Sequence, residues 1–194
     1  MTRFEYLAIF YGIVVGLALE NVAASFHRLL SAGKRVRWHW MAPTNAIGTA
    51  TVTLGQFWLW WVGRDMKIAN PRFVTFLPGA VTAILLYLVC AATLPDDVPA
   101  EGIDLREFYF SSRRQFWSLV IAVTLIGAGS EIWALARAGF DPRFVAFHTP
   151  ILIGSLVSAT LAASLIYVRA PWWHAVGIAA ITSASFLFFA PLKL

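Results

Sequence analysis

The chain has 194 residues, 59% of them hydrophobic and 13% charged, with a net charge of +5 and a mean hydropathy of +0.71. An average soluble domain is about one quarter charged, because polar side chains must cover its surface. So few charges exclude an ordinary soluble fold and place the apolar excess on the outside, against lipid. The positive balance is not that of a nucleic-acid binder either, since Lys and Arg stand between apolar runs rather than on one surface. No nucleic-acid partner is expected. The single cysteine, Cys90, rules out an intrachain disulfide and reads as a small buried residue.

Six apolar spans follow one another at about 4–28, 39–63, 72–94, 114–137, 144–167 and 171–190, each long enough to cross about 30 Å of hydrocarbon. Arg3 ahead of the first run and Val22-Ala23-Ala24 within it resemble a signal peptide, but the run is long and holds Glu20 and Asn21, which suit a retained span. Breakers separate the spans: Ser31-Ala32-Gly33, Asn70-Pro71, Asp141-Pro142 and Ala170-Pro171. Trp40, Trp58, Trp60, Trp61, Trp117, Trp172 and Trp173 fall near span edges, where an indole ring settles at headgroup level. The longest loop, 95–113, is acidic first and basic last, and its Leu105, Phe108 and Tyr109 read as a short helix on the membrane surface or as a solvated linker. The expected architecture is an all-α integral membrane protein, one transmembrane domain over 1–194 built as a bundle of six transmembrane helices.

Basic residues at span ends set orientation. Arg28, Lys34, Arg35, Arg37, Arg106, Arg113, Arg114 and Arg169 lie on the side of the first, third and fifth loops; Arg3, Arg64, Lys67, Arg72, Arg137, Arg143 and Lys193 lie on the other. This near balance is also what dual insertion would show, and the dense first loop tips both termini to the non-cytoplasmic side.

The two halves of the chain share features. Gly12, Gly16 and Glu20 recur every four residues in the first span, and Gly127 with Glu131 repeats the Gly-x-x-x-Glu spacing in the fourth. The second and fifth spans open with His39 and Pro43, and with His148 and Pro150; the third and sixth open at Pro71 and Pro171. An odd number of spans per half would make these two inverted three-helix repeats, an arrangement common in transporters. Gly12, Gly16 and Gly127, together with Gly154 and Ser158 of the fifth span, are candidate helix-packing positions, and a homo-oligomer is expected.

Glu20 and Glu131 are the acidic residues inside spans. A carboxylate there is paired, protonated or facing water. They are candidate way-points of a substrate or ion path, or structural partners of Arg28 and Arg137. The second span adds a polar stripe, Asn45, Thr49, Thr53 and Gln56, able either to line that path or to hold helices together by hydrogen bonds. His27, His39 and His174 are weak candidates for metal or haem, since no histidine pair has ligand spacing; no metal and no cofactor is expected. Phosphate-loop, zinc-protease and nucleophile-elbow motifs are missing, which leans away from an enzyme without closing off a site made of scattered carboxylates and histidines.

Phe4-Glu5-Tyr6-Leu7, Gln56-Phe57-Trp58 and Gly102-Ile103-Asp104-Leu105-Arg106-Glu107-Phe108-Tyr109 with Arg113-Arg114 resemble an uncharacterised group of small bacterial polytopic inner-membrane proteins. The resemblance covers the first two thirds of the chain and implies a multi-pass place in the bacterial inner membrane, with no activity attached. The expected function is a small channel or carrier for protons, small cations or a small solute. The alternatives are a non-catalytic membrane subunit or scaffold that recruits a partner protein through 95–113, and a haem-binding membrane protein.

Overall fold

The computed structural model describes residues 3–62, 73–137 and 142–189. Six helices follow in chain order: α1 (Arg3–Ala32), α2 (Met41–Val62), α3 (Phe73–Ala91), α4 (Leu105–Arg137), α5 (Pro142–Tyr167) and α6 (Pro171–Phe189). Pro142 and Pro171 each occupy the first helical position, where the missing N–H has no helical acceptor to serve. Arg64, Lys67, Asn70-Pro71, Arg72, Asp141 and Lys193, and the outer ends of the spans at 39–63, 72–94 and 171–190, lie outside the described residues.

Among the described residues, three helices are long and apolar enough to cross a membrane: Ala8–Arg35, Leu105–Arg137 and His148–Tyr167; Phe76–Ala91 is a shorter apolar helix. Large apolar side chains face outward on all of them, Ile13, Leu17, Ile84, Leu125, Ile153 and Val157 among them, with Val157 60% exposed. Small residues face inward instead, such as Ala18, Ala42, Ala46, Ala83, Ala128 and Ala162. Water would penalise that distribution, whereas lipid, as apolar as leucine, leaves close packing of small residues to hold helices together. The chain is an all-α membrane protein.

The principal packings are α4 on α5, α1 on α3 and α2 on α6, with α2 also touching α1, α3 and α4. The two halves therefore pack differently: α1 lies along α3, while α4 lies along α5.

The connectors α1–α2, α3–α4 and α5–α6 gather at one end, where most of the bulky core also sits: Leu29, Val36, Met41, Leu94, Leu105, Tyr109, Phe116, Trp117 and Leu165. A 3₁₀ turn, Gly33–Arg35, leads into a two-residue strand β1 (Val36–Arg37), which pairs in parallel with β2 (Ile103–Asp104). Gly102 makes that pairing possible. Its φ is +94°, and a Cβ there would stand 2.5 Å from the Arg35 carbonyl oxygen, so a side chain is excluded both by conformation and by space.

The surface helix expected over Leu105–Tyr109 is instead the start of α4. Asp104 Oδ1 accepts the backbone N–H of Arg106 at 2.8 Å and of Glu107 at 3.3 Å. A side chain that satisfies the free N–H groups of the first turn lets the helix begin there. From Leu105 its 33 residues extend about 50 Å, beyond the hydrocarbon layer.

Candidate functional site

Glu131 on α4 faces His148 on α5, and its Oε2 is paired with His148 Nδ1. The side chains are 21% and 12% exposed, respectively. Glu131 sits about 9 Å along the helix axis from Arg137, inside the apolar length of α4. Pro150 follows His148 within α5 and lacks an N–H, which leaves the Ala146 carbonyl without its helical donor beside the pair. Arg137 is not the partner of Glu131; its guanidinium lies over the Trp133 ring, 4.2 Å from the centroid.

Glu20 is placed differently. It is exposed on the outer face of α1, with Ile13, Gly16, Leu17 and Ala23. Arg28 turns to Ser25, whose Oγ accepts from Nη2 at 2.9 Å. The two carboxylates thus occupy separate places, Glu20 on the outside of the α1–α3 pair and Glu131 between α4 and α5.

The polar stripe of α2 turns inward at three of its four residues: Asn45, Thr49 and Thr53 are buried, and Gln56 is half-buried. Thr53 Oγ1 donates to the Thr49 carbonyl at 2.9 Å and lies 3.5 Å from Cys90 Sγ on α3. With the hydroxyl proton committed to the carbonyl, the thiol is the donor in the second contact. Of the packing candidates, and among the described residues, a Cβ on Gly12 would meet Phe57 at 3.9 Å, and no atom stands within 4 Å of one at Gly16, Gly127 or Gly154. Ser158 is half-buried on α5. Among the described helical glycines, close contact occurs at Gly48, where a Cβ would stand 2.6 Å from Thr182 Oγ1, and at Gly177, 2.7 Å from Leu165 Cδ1. These seat α6 on α2 and α5. Neither sits in a four-residue glycine repeat, so spacing alone did not single them out.

The three histidines weighed as metal ligands fall into three environments. His27 is exposed near the end of α1, and His39 Nδ1 accepts the Met41 N–H at 3.5 Å. His174 is buried with both ring nitrogens engaged. Nε2 donates to the Val168 carbonyl at 2.9 Å, so in the neutral ring Nδ1 accepts the Tyr109 hydroxyl at 2.8 Å. No three His, Cys, Asp or Glu side chains among the described residues are grouped to hold a metal.

Tyr109 and Arg113, legible in sequence only as parts of a loop, therefore tie α4 to the α5–α6 turn. Arg113 is buried, donating from Nη1 to the Phe110 carbonyl at 2.6 Å and from Nε to the Ile166 carbonyl at 3.3 Å. A cation at the carbonyl-rich end of α5 also opposes that helix's dipole. On the same face Asp104 lies 3.3 Å from Arg37. The two backbone N–H groups that it accepts, and secondarily Arg37, hold its carboxyl below the usual range.

Compared with known proteins, the chain matches no family model, no curated protein sequence and no solved structure.

Proposed function

We propose that this chain is a six-span, homo-oligomeric protein of a bacterial inner membrane that moves protons, small cations or a small solute, with Glu131 and His148 as the proton-exchanging site. The observation that supports this reading best is their pairing. An ionisable group within a membrane span is a functional candidate together with its partner, and here both partners exchange protons. The buried face of α2 supplies further polar groups, and Glu20, exposed on a face of α1 that no described helix covers, suits a contact between copies. The shared Gly-x-x-x-Glu spacing is the support for two inverted repeats at the level of sequence. Non-cytoplasmic termini follow from the basic first loop, and the inner-membrane location from the resemblance over the first two thirds of the chain.

The test is flux. Protein reconstituted in sealed liposomes should dissipate a proton or alkali-cation gradient, and Glu131→Gln or His148→Asn should abolish the effect while the protein stays folded. Well-folded wild-type protein without flux would reject the reading.

A second reading rests on a different face. The connector ahead of α4 is anchored by Gly102 and Asp104 and leaves Asp96, Asp97 and Glu101 exposed, which suits a membrane subunit that recruits a partner protein. Changes at these three residues should then disrupt a complex and leave flux untouched.

A further inference from the structure

We propose that the end of α1 forms a binding site for a phosphate group, either that of a lipid headgroup or a free phosphate. A cavity of about 290 Å³ opens there, lined by His27, Arg28, Ser31, Ala32, Arg35 and Val98. Its size is near the lower limit of small-ligand sites, which suits a headgroup and not a large organic molecule. Two arginines, a histidine and a hydroxyl line it, and no carboxylate does. Among the described residues no ion pair engages Arg28 or Arg35, although Asp96 and Asp97 lie exposed beside Val98 in sequence.

Arg28 carries the assignment. Its Nη2 donates to Ser25, but its Nε is buried with no hydrogen-bond partner. Buried donors are nearly always satisfied, so an acceptor in the cavity would engage the exposed part of the Arg28 guanidinium and reach the sealed Nε only once that side chain turns toward it. A guanidinium presents its N–H groups as a planar fork that matches phosphate oxygens, and the Ser31 hydroxyl adds another donor to the lining. The wall is held in register by Gly102, whose close approach to the Arg35 carbonyl fixes the 95–104 connector, and with it Val98, against the 3₁₀ turn. The cavity also lies at the end of an apolar helix long enough to cross a membrane, where headgroup phosphates would stand around a spanning α1, and basic pockets at such a level take acidic lipids.

The experiment is isothermal titration of the purified full-length protein in neutral detergent, with sodium phosphate in one arm and short-chain phosphatidic acid in the other. Arg28→Gln and Arg35→Gln should each weaken binding by about tenfold or more, as expected for a lost charge-assisted bond. Arg106→Gln, an exposed change at the start of α4 outside the cavity lining, should alter it by less than about twofold. Binding of both probes, in competition, would assign the site to free phosphate; binding of the lipid alone would assign it to a headgroup. Arg35 is exposed on a turn, so its variant tests the site even if Arg28→Gln does not fold. Failure of both probes to bind wild type, or affinities independent of Arg35 and Arg28 in monodisperse variants, would overturn the proposal.

Discussion

Glu131 on α4 and His148 on α5 are joined side chain to side chain across the most extensive helix packing among the described residues. Removing His148 leaves the half-buried Glu131 carboxylate without this donor, and removing Glu131 takes one acceptor from His148; a lost bond of this kind costs about 1–3 kcal/mol. Glu131→Gln and His148→Asn should therefore each lower the detergent unfolding midpoint. The double variant should lose less than the sum of the two, as measured in a double-mutant cycle.

Gly33 and Gly102 both have positive φ, +55° and +94°, but differ in surroundings. Nothing stands within 4 Å of a Cβ at Gly33, whereas the Arg35 carbonyl blocks one at Gly102. Gly33→Ala should cost about 1 kcal/mol, the left-handed penalty alone. Gly102→Ala should cost about 2–3 kcal/mol more, because the β1–β2 pairing must open. Thermal unfolding of the two variants in parallel gives the comparison.

Asp104 makes the anchored face sensitive to acid. Its folded carboxyl titrates lower than in an unfolded chain, because it accepts the Arg106 and Glu107 N–H groups and faces Arg37, with His39 also nearby. A lowered folded pKa contributes stability above the ordinary carboxylate value of about 4, and that contribution is lost as pH falls through the folded value. Limited proteolysis of the connector, followed by mass spectrometry, should show protection falling below about pH 4 in the wild type. Asp104→Asn should be less protected at neutral pH and should show less change across that range.

Glycines separate packing within the chain from packing between chains. Gly48→Val should destabilise the fold by about 2–3 kcal/mol, since α6 must move away from α2. Gly16→Val should change the free energy of unfolding by no more than about 0.5 kcal/mol, as expected of an exposed site. If copies associate through α1, the same Gly16 variant should lower the mass measured by light scattering.

Hydropathy made the helices legible, because an apolar run long enough to span lipid also favours a continuous helix: each described helix overlaps an expected span, and three of them are long and apolar enough to cross a membrane. The exception is the start of α4. Leu105–Arg113 mixes charged and aromatic residues, so it looks like a connector until Asp104 is seen to cap it. The candidate site was half legible. Glu131 stood out as a charge among apolar residues, but its partner lies 17 positions away and depends on how α4 and α5 are set against each other. Tyr109 with His174, and Arg113 with Ile166, depend likewise on tertiary geometry, which helical periodicity does not encode.

The most direct measurement is proton flux into sealed liposomes at fixed protein density, comparing wild type, Glu131→Gln and Arg106→Gln after confirming equal folded incorporation. The account predicts flux in the wild type and in Arg106→Gln and none above empty liposomes in Glu131→Gln; equal flux in all three would contradict it.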